Sequence, residues 1–165
     1  MSAPHAIALR RADPPDAPAL TAAMRLLALN LEDPWRTAPE DVARHGFGPT
    51  RAFHAVIAEA EGIEGLAGFA LFSAMFSSSR GAPGLYVSDL WVAAEARGRN
   101  LGRDLLAAAA AEARLHWSAT WLKLSVHKDN PRARLFYDRL GFDPDAAFET
   151  LTLEAAGVAA LSAPD

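Results

Sequence analysis

The feature that most restricts how this chain can fold is an alanine-rich run at residues 101–117 with an apolar, strand-like run on either side, at 85–92 and 120–126. Alanine and leucine favour helix, and Leu105, Leu106, Ala109, Ala113 and Trp117 fall on one side of a 3.6-residue repeat. The flanking runs carry Tyr86, Val87, Leu90, Val92 and Val126, residue types suited to a pleated surface. Strand, helix and strand in that order read as a parallel crossover, because two neighbouring parallel strands need a long connection between them.

The rest of the chain reads as locally connected elements. A short strand is expected at 6–11, broken by Asp13-Pro-Pro-Asp16, and a helix at 17–31, where Leu20, Met24, Leu27, Ala28 and Leu31 recur at three and four. A second short helix is expected at 39–44, capped by Thr37 and stopped at Gly46-Phe-Gly-Pro49. Two apolar runs at 52–59 and 66–76, joined by a glycine-containing turn, predict an antiparallel hairpin, followed by a polar loop at 77–84. Further on, a helix is expected at 130–140 with Gly141 as its stop, and a last alternating strand at 148–154. The fold class is therefore α/β or α+β: a mixed, mostly antiparallel sheet with one parallel pair and flanking helices, in a single domain spanning residues 1–165.

Composition narrows the function classes. An apolar fraction of 51% excludes extended disorder, and the absence of cysteine excludes disulfides, thiolate metal sites and a cysteine nucleophile. No segment reaches the roughly 20 apolar residues of a membrane span, and residues 1–11 lack the apolar stretch of a signal peptide, so the expected location is cytoplasmic with no membrane role. A net charge of −4 disfavours a nucleic-acid partner and mildly favours cationic ones. The histidines show no metal-ligand spacing, so no metal is expected, and His54 reads as a structural strand residue. Trp91, Trp117 and Trp121 read as core.

The chemistry concentrates in Val92-Ala-Ala-Glu-Ala-Arg-Gly-Arg-Asn-Leu-Gly-Arg103, a strand-to-helix turn bearing two glycines and three arginines. A helix start leaves about four backbone N–H groups without intrahelical partners and carries roughly half a positive charge, so it stabilises an anion. Gly98 and Gly102 allow close backbone approach, and Arg97, Arg99 and Arg103 can add charge-assisted bonds to phosphate oxygens. Neither a dinucleotide fingerprint nor a P-loop is present.

What is present resembles the Arg/Gln-x-x-Gly-x-Gly/Ala signature of the GNAT acetyltransferases, matched as Arg97-Gly98-Arg99-Asn100-Leu101-Gly102 with Asn100 at the first signature glycine. Asparagine visits left-handed backbone conformations more readily than most residues, so the exchange is physically tolerable. Leu90-Trp91-Val92 resembles the family's Leu-x-Val strand, whose backbone holds the pantetheine arm. Asn130-Pro-Arg-Ala-Arg-Leu-Phe-Tyr-Asp-Arg-Leu-Gly-Phe142 is similar to its Asn-x-x-Ala-x-x-x-Tyr-x-x-x-Gly-Phe helix. The resemblance implies acetyl-CoA as cofactor, Asn130 and Arg132 near it, and Tyr137 as the acid for the departing thiolate.

Over residues 6–142 the pattern is similar to the spermidine/spermine and thialysine branch. That implies a small-molecule primary amine, a polyamine, diamine or lysine-like compound, attacking the thioester directly, in an enzyme that is a homodimer. Val87-Ser88-Asp89 stands where the branch reads Leu-Glu-Asp. Asp89, with Ser88 acting through water, is therefore the candidate for attracting or deprotonating the ammonium. Glu32, Asp33 and Trp35, after the first long helix, are candidates for contacting the amine. Two alternatives stand beside this reading: a CoA-binding module without catalysis, and an acetyltransferase acting on a peptide or protein amine.

Overall fold

A computed structural model describes residues 6–161. The described elements run β1 (Ile7–Arg11), α1 (Ala17–Leu31), α2 (Pro39–Val42), β2 (His54–Ala60), β3 (Gly68–Ser77), β4 (Ala82–Val92), α3 (Leu101–Trp117), β5 (Leu122–Leu124), α4 (Pro131–Arg139) and α5 (Ala155–Leu161). The chain forms a first compact unit up to Ser125 and a second from Val126.

In the first unit the five strands form one sheet in sequence order. The β1–β2, β2–β3 and β3–β4 pairs are antiparallel, and β4 pairs with β5 in parallel through α3, as the crossover pattern predicts. Both faces are covered. On one, α3 lies so close that a Cβ on Gly68 would stand 2.9 Å from Leu105. On the other, Trp91 of β4 donates its indole N–H to Asn30 of α1 at 3.3 Å. Burial on both sides explains why β2 and β3 carry continuous apolar runs: Val56, Ile57, Ala58, Phe69, Ala70, Leu71 and Phe72 are all buried. At the edge, Arg10 of β1 forks onto Asp16 at 2.7 and 2.8 Å and reaches Glu59 of β2 at 3.2 Å, tying the first strand to its neighbour and to the start of α1. The guanidinium holds the Asp16 carboxyl below the usual carboxylate range.

Several local expectations need correction. Helix α2 is capped at Ala38 rather than Thr37, with the Ala38 N–H donating to the Asp41 carboxylate at 3.0 Å. The chain then continues as a wide helical turn through Phe47, past the expected stop at Gly46, which lies against the Phe53 ring where a side chain would collide. Strand β4 begins at Ala82 rather than Leu85. Pro83 needs no donor there because its carbonyl does the pairing, accepting from the Thr120 N–H at 3.0 Å, and Gly84 lies directly under the Trp121 ring.

Strand β5 covers only 122–124 of the expected 120–126. In the second unit, residues 148–154 form no strand and lead into α5, with Phe148, Leu151 and Leu153 exposed. Alternation assigns faces, but a strand also needs a ladder partner. Of the tryptophans, Trp91 is buried, whereas Trp117 and Trp121 are half-buried.

Candidate active site

Ala94–Ala96 forms a single tight turn after β4, and the chain then reverses through Gly98 (φ 77°) and Asn100 (φ 61°) into α3. The asparagine thus occupies the left-handed conformation its type suggests. Its side chain does not cap the helix, and the first intrahelical bond runs from Asp104 N–H to Asn100 C=O at 3.1 Å. The amides of Leu101, Gly102 and Arg103 precede that bond at the positive end of a long helix. Leu101 is buried and anchors the turn, while the side chains of Arg97, Arg99 and Arg103 are exposed around it. Arg97 also donates to the Val92 carbonyl at 3.2 Å, fixing its base against the end of β4. Two left-handed residues, three leading amides and three arginines fit a diphosphate, and these residues would hold that part of coenzyme A.

Strand β4 supplies the next part. It pairs with β3 from end to end, whereas β5 accompanies it only over Leu85, Tyr86 and Val87. Leu90, Trp91 and Val92 therefore have a strand partner on one edge only. Between Val87, opposite Phe72, and Asp89, opposite Leu71, Ser88 is an extra residue: a β-bulge. The bulge resets the alternation, so that Tyr86, Asp89 and Trp91 all face the α1 side, although two residues lie between the first two.

Asp89 is mostly buried, and its carboxyl titrates above the ordinary aspartate range. Loss of hydration is the main cause and the nearby negative charge of Asp33 adds to it, while the Ser88 hydroxyl pulls the other way. Asp33 reaches this position because α1 ends in a left-handed residue, Glu32 (φ 58°), which turns the Asp33 N–H back onto the Ala28 carbonyl at 2.9 Å. Of the three residues expected to meet the amine, Asp33 is the one whose charge reaches Asp89. Glu32 is exposed at the helix end and Trp35 is half-buried.

In the second unit, Asn130 caps α4: its side-chain oxygen accepts from the Ala133 N–H at 3.0 Å, and Pro131 follows at the first helical position. Tyr137 lies edge-on to Phe136 and Phe142, with ring centroids 5.2 and 5.5 Å away, and burial pushes its phenol above the ordinary tyrosine value. Arg132 is exposed. Gly141 (φ 85°) ends the helix.

Away from these groups, His54 packs edge-on to Trp117 at 4.9 Å and beside Phe72, and its pKa is lowered, first by burial and then by Arg51 and Arg11. Among the described residues no group of three or more side chains is arranged to hold a metal, and no helix is long and apolar enough to cross a membrane. Sequence reasoning missed three features of the site: Asn30 as the partner of Trp91, the bulge at Ser88, and a hydrogen bond from the Tyr86 hydroxyl to Ser125 at 3.1 Å. None has a local signal, since each depends on residues far apart in the chain.

Comparison with known proteins bears on the same residues. The acetyltransferase (GNAT) family matches residues 20–142, which include the turn at 97–102, β4 and α4. A thialysine N-epsilon-acetyltransferase from Bos taurus is 29% identical over 117 residues, covering 67% of this chain and 68% of that protein. Among solved structures, an integron cassette protein from the mobile metagenome of V. cholerae superposes with a TM-score of 0.75 at 23% identity, covering 94% of this chain and 97% of that one. An aminoglycoside N-acetyltransferase in complex with CoA superposes with a TM-score of 0.70 at 15% identity, covering 93% and 97%. The chain belongs to the GNAT family of acetyltransferases and is an N-acetyltransferase whose acetyl donor is acetyl-CoA.

Proposed function

We propose that this enzyme acetylates the primary amine of a small molecule, a polyamine, diamine or lysine-like compound, by direct attack of the amine on the donor. The observation that carries the reading is the pair of carboxylates at the β4 bulge, Asp89 and Asp33. A second acidic group close enough to raise the pKa of Asp89 favours a cation between the two, as an alkylammonium would be. The bovine thialysine acetyltransferase, named for a lysine-like amine, supports the same class.

Bound at the site, acetyl-CoA supplies an acetyl thioester. The turn 97–102 with Arg103 holds the diphosphate, and the open edge of Leu90, Trp91 and Val92 offers backbone groups to the pantetheine arm. Asp89, with Ser88 beside it, attracts the ammonium and takes its proton directly or through water. Tyr137 carries the proton for the departing sulfur: its raised pKa keeps the phenol protonated at neutral pH. Asn130 and Arg132 are assigned to the cofactor side by their place in the family motif. No covalent enzyme intermediate is required. The chain is further proposed to act as a single domain, a reading supported by a family match that runs without a break across the boundary at Ser125, and to be a cytoplasmic homodimer.

The test is thiol release from acetyl-CoA with a panel of polyamines, lysine analogues, aminoglycosides and peptides. Release with short diamines or lysine analogues is expected, and release with peptides alone would overturn the substrate class. The pH profile tests Asp89 itself. Its folded-state pKa is raised, so the active carboxylate forms only above the ordinary aspartate range, and the acid limb of kcat/KM should lie there. Asp33→Asn removes a like charge and should move that limb to lower pH, and Asp89→Asn should abolish it. The stability linkage has the opposite sense. Because the native state binds this proton more tightly than the unfolded chain, the contribution of Asp89 is greatest at low pH and is lost as pH rises through the raised value.

A further inference from the structure

Strand β5 parts from β4 after the Val87–Leu124 pair, and at that level Ser88 bulges out of the β3 ladder. A side-chain link spans the point of parting. The Tyr86 hydroxyl donates to the hydroxyl of Ser125, the residue following β5, at 3.1 Å. Tyr86 is half-buried on the α1 face, the face that carries Asp89 three residues later, and Ser125 is exposed. Backbone pairing thus holds β4 and β5 together below this level, and a bond between two hydroxyls holds them at the root of the opening.

We propose that Tyr86 and Ser125 are positioning residues: their hydroxyl pair sets how far β4 and β5 diverge, and through that where the acetyl donor lies relative to Asp89. An exposed hydroxyl–hydroxyl bond adds little to net stability, because water replaces it readily. Its effect is on geometry. Reaction rates fall steeply when reacting groups are displaced by an ångström, so a link at the base of a cleft is felt at the reacting atoms above it. The proposal rests on reading the β4–β5 opening as the acetyl-CoA site.

The test uses four variants of the whole chain: Tyr86→Phe, Ser125→Ala, the double substitution, and Ser125→Thr, which keeps the hydroxyl. CoA affinity is measured by calorimetry, turnover with acetyl-CoA and the best amine by thiol release, and melting temperature separately. Each of the first two variants is expected to weaken CoA binding and lower kcat about five-fold, the size of one lost hydrogen bond. The double variant should be no worse than either single one, Ser125→Thr should restore both values, and melting should move by less than about 2 °C. Unchanged affinity and turnover in both single variants, or losses that simply add in the double, would overturn the pair's role. So would a loss accompanied by a fall in melting temperature above about 5 °C, which marks a merely structural contact. CoA affinity is read without any amine. A wild-type protein that binds CoA but releases no thiol would therefore sink the catalytic reading while the affinity series still decides the role of Tyr86 and Ser125.

Discussion

Two asparagines stand at helix N-termini in this chain, and the two sites are built in opposite ways. Asn130 has a negative φ (−113°) and turns its side chain onto the Ala133 amide, closing the start of α4. Asn100 has a left-handed backbone (φ 61°) and makes no side-chain cap on α3, at a turn that carries the exposed Arg97, Arg99 and Arg103. One residue type at one helix position thus closes the helix start with its side chain in the first case and leaves it without a side-chain cap in the second, and the two backbone conformations differ accordingly.

Five substitutions press on that contrast. The largest effect is expected at Tyr137, on the capped helix: Tyr137→Phe should lower kcat by about 100-fold through loss of a general acid, while CoA affinity by calorimetry stays within about two-fold of wild type. Loss of affinity instead would mean that Tyr137 helps hold the cofactor rather than carrying the proton for the departing sulfur. Next, Arg97→Ala or Arg99→Ala should weaken CoA binding about ten-fold, with a shallower salt dependence than wild type. Affinity equal to wild type would remove the phosphate role of the open helix end.

Smaller effects separate the two caps directly. Asn130→Ala should cost about 1 kcal/mol of stability, read as a fall of about 2–4 °C in melting temperature. Asn100→Gly should change stability by less than about 0.5 kcal/mol and leave CoA affinity equal or slightly tighter, since glycine accepts a positive φ without strain and brings no side chain. A destabilisation at Asn100 as large as that at Asn130 would show that both asparagines cap.

Much of this was legible in the sequence, for reasons that differ by element. The bounds of α1 and α3 could be read directly because strong periodicity met clear punctuation at each end: prolines at 14 and 15, and a glycine-arginine turn at 97–99. The left-handed backbone at Asn100 was also legible, since so few residue types tolerate it. The segment 148–154 was misread because alternation describes a side-chain pattern and carries no information about a partner strand. The coupling of Asp33 to Asp89 and the bond from Tyr86 to Ser125 were illegible for a related reason: the members of each pair lie far apart in the chain and meet only through the sheet. The turn proposed to hold the cofactor is one continuous segment, whereas the proposed acceptor side is assembled from several, so only the first has a local signal.

The bulge at Ser88 carries a lesson for redesign. Residue 88 is exposed, and the pairing of Asp89 with Leu71 and of Val87 with Phe72 would survive its removal, leaving a regular ladder. A procedure that rewarded only a stable sheet would delete it. A regular ladder would remove the irregularity at the level where β5 parts from β4, beside the residues proposed to meet acetyl-CoA and the amine. Under the proposed function, strand length at this point belongs to the activity, and an engineered variant of this scaffold must keep the extra residue together with its hydroxyl beside Asp89.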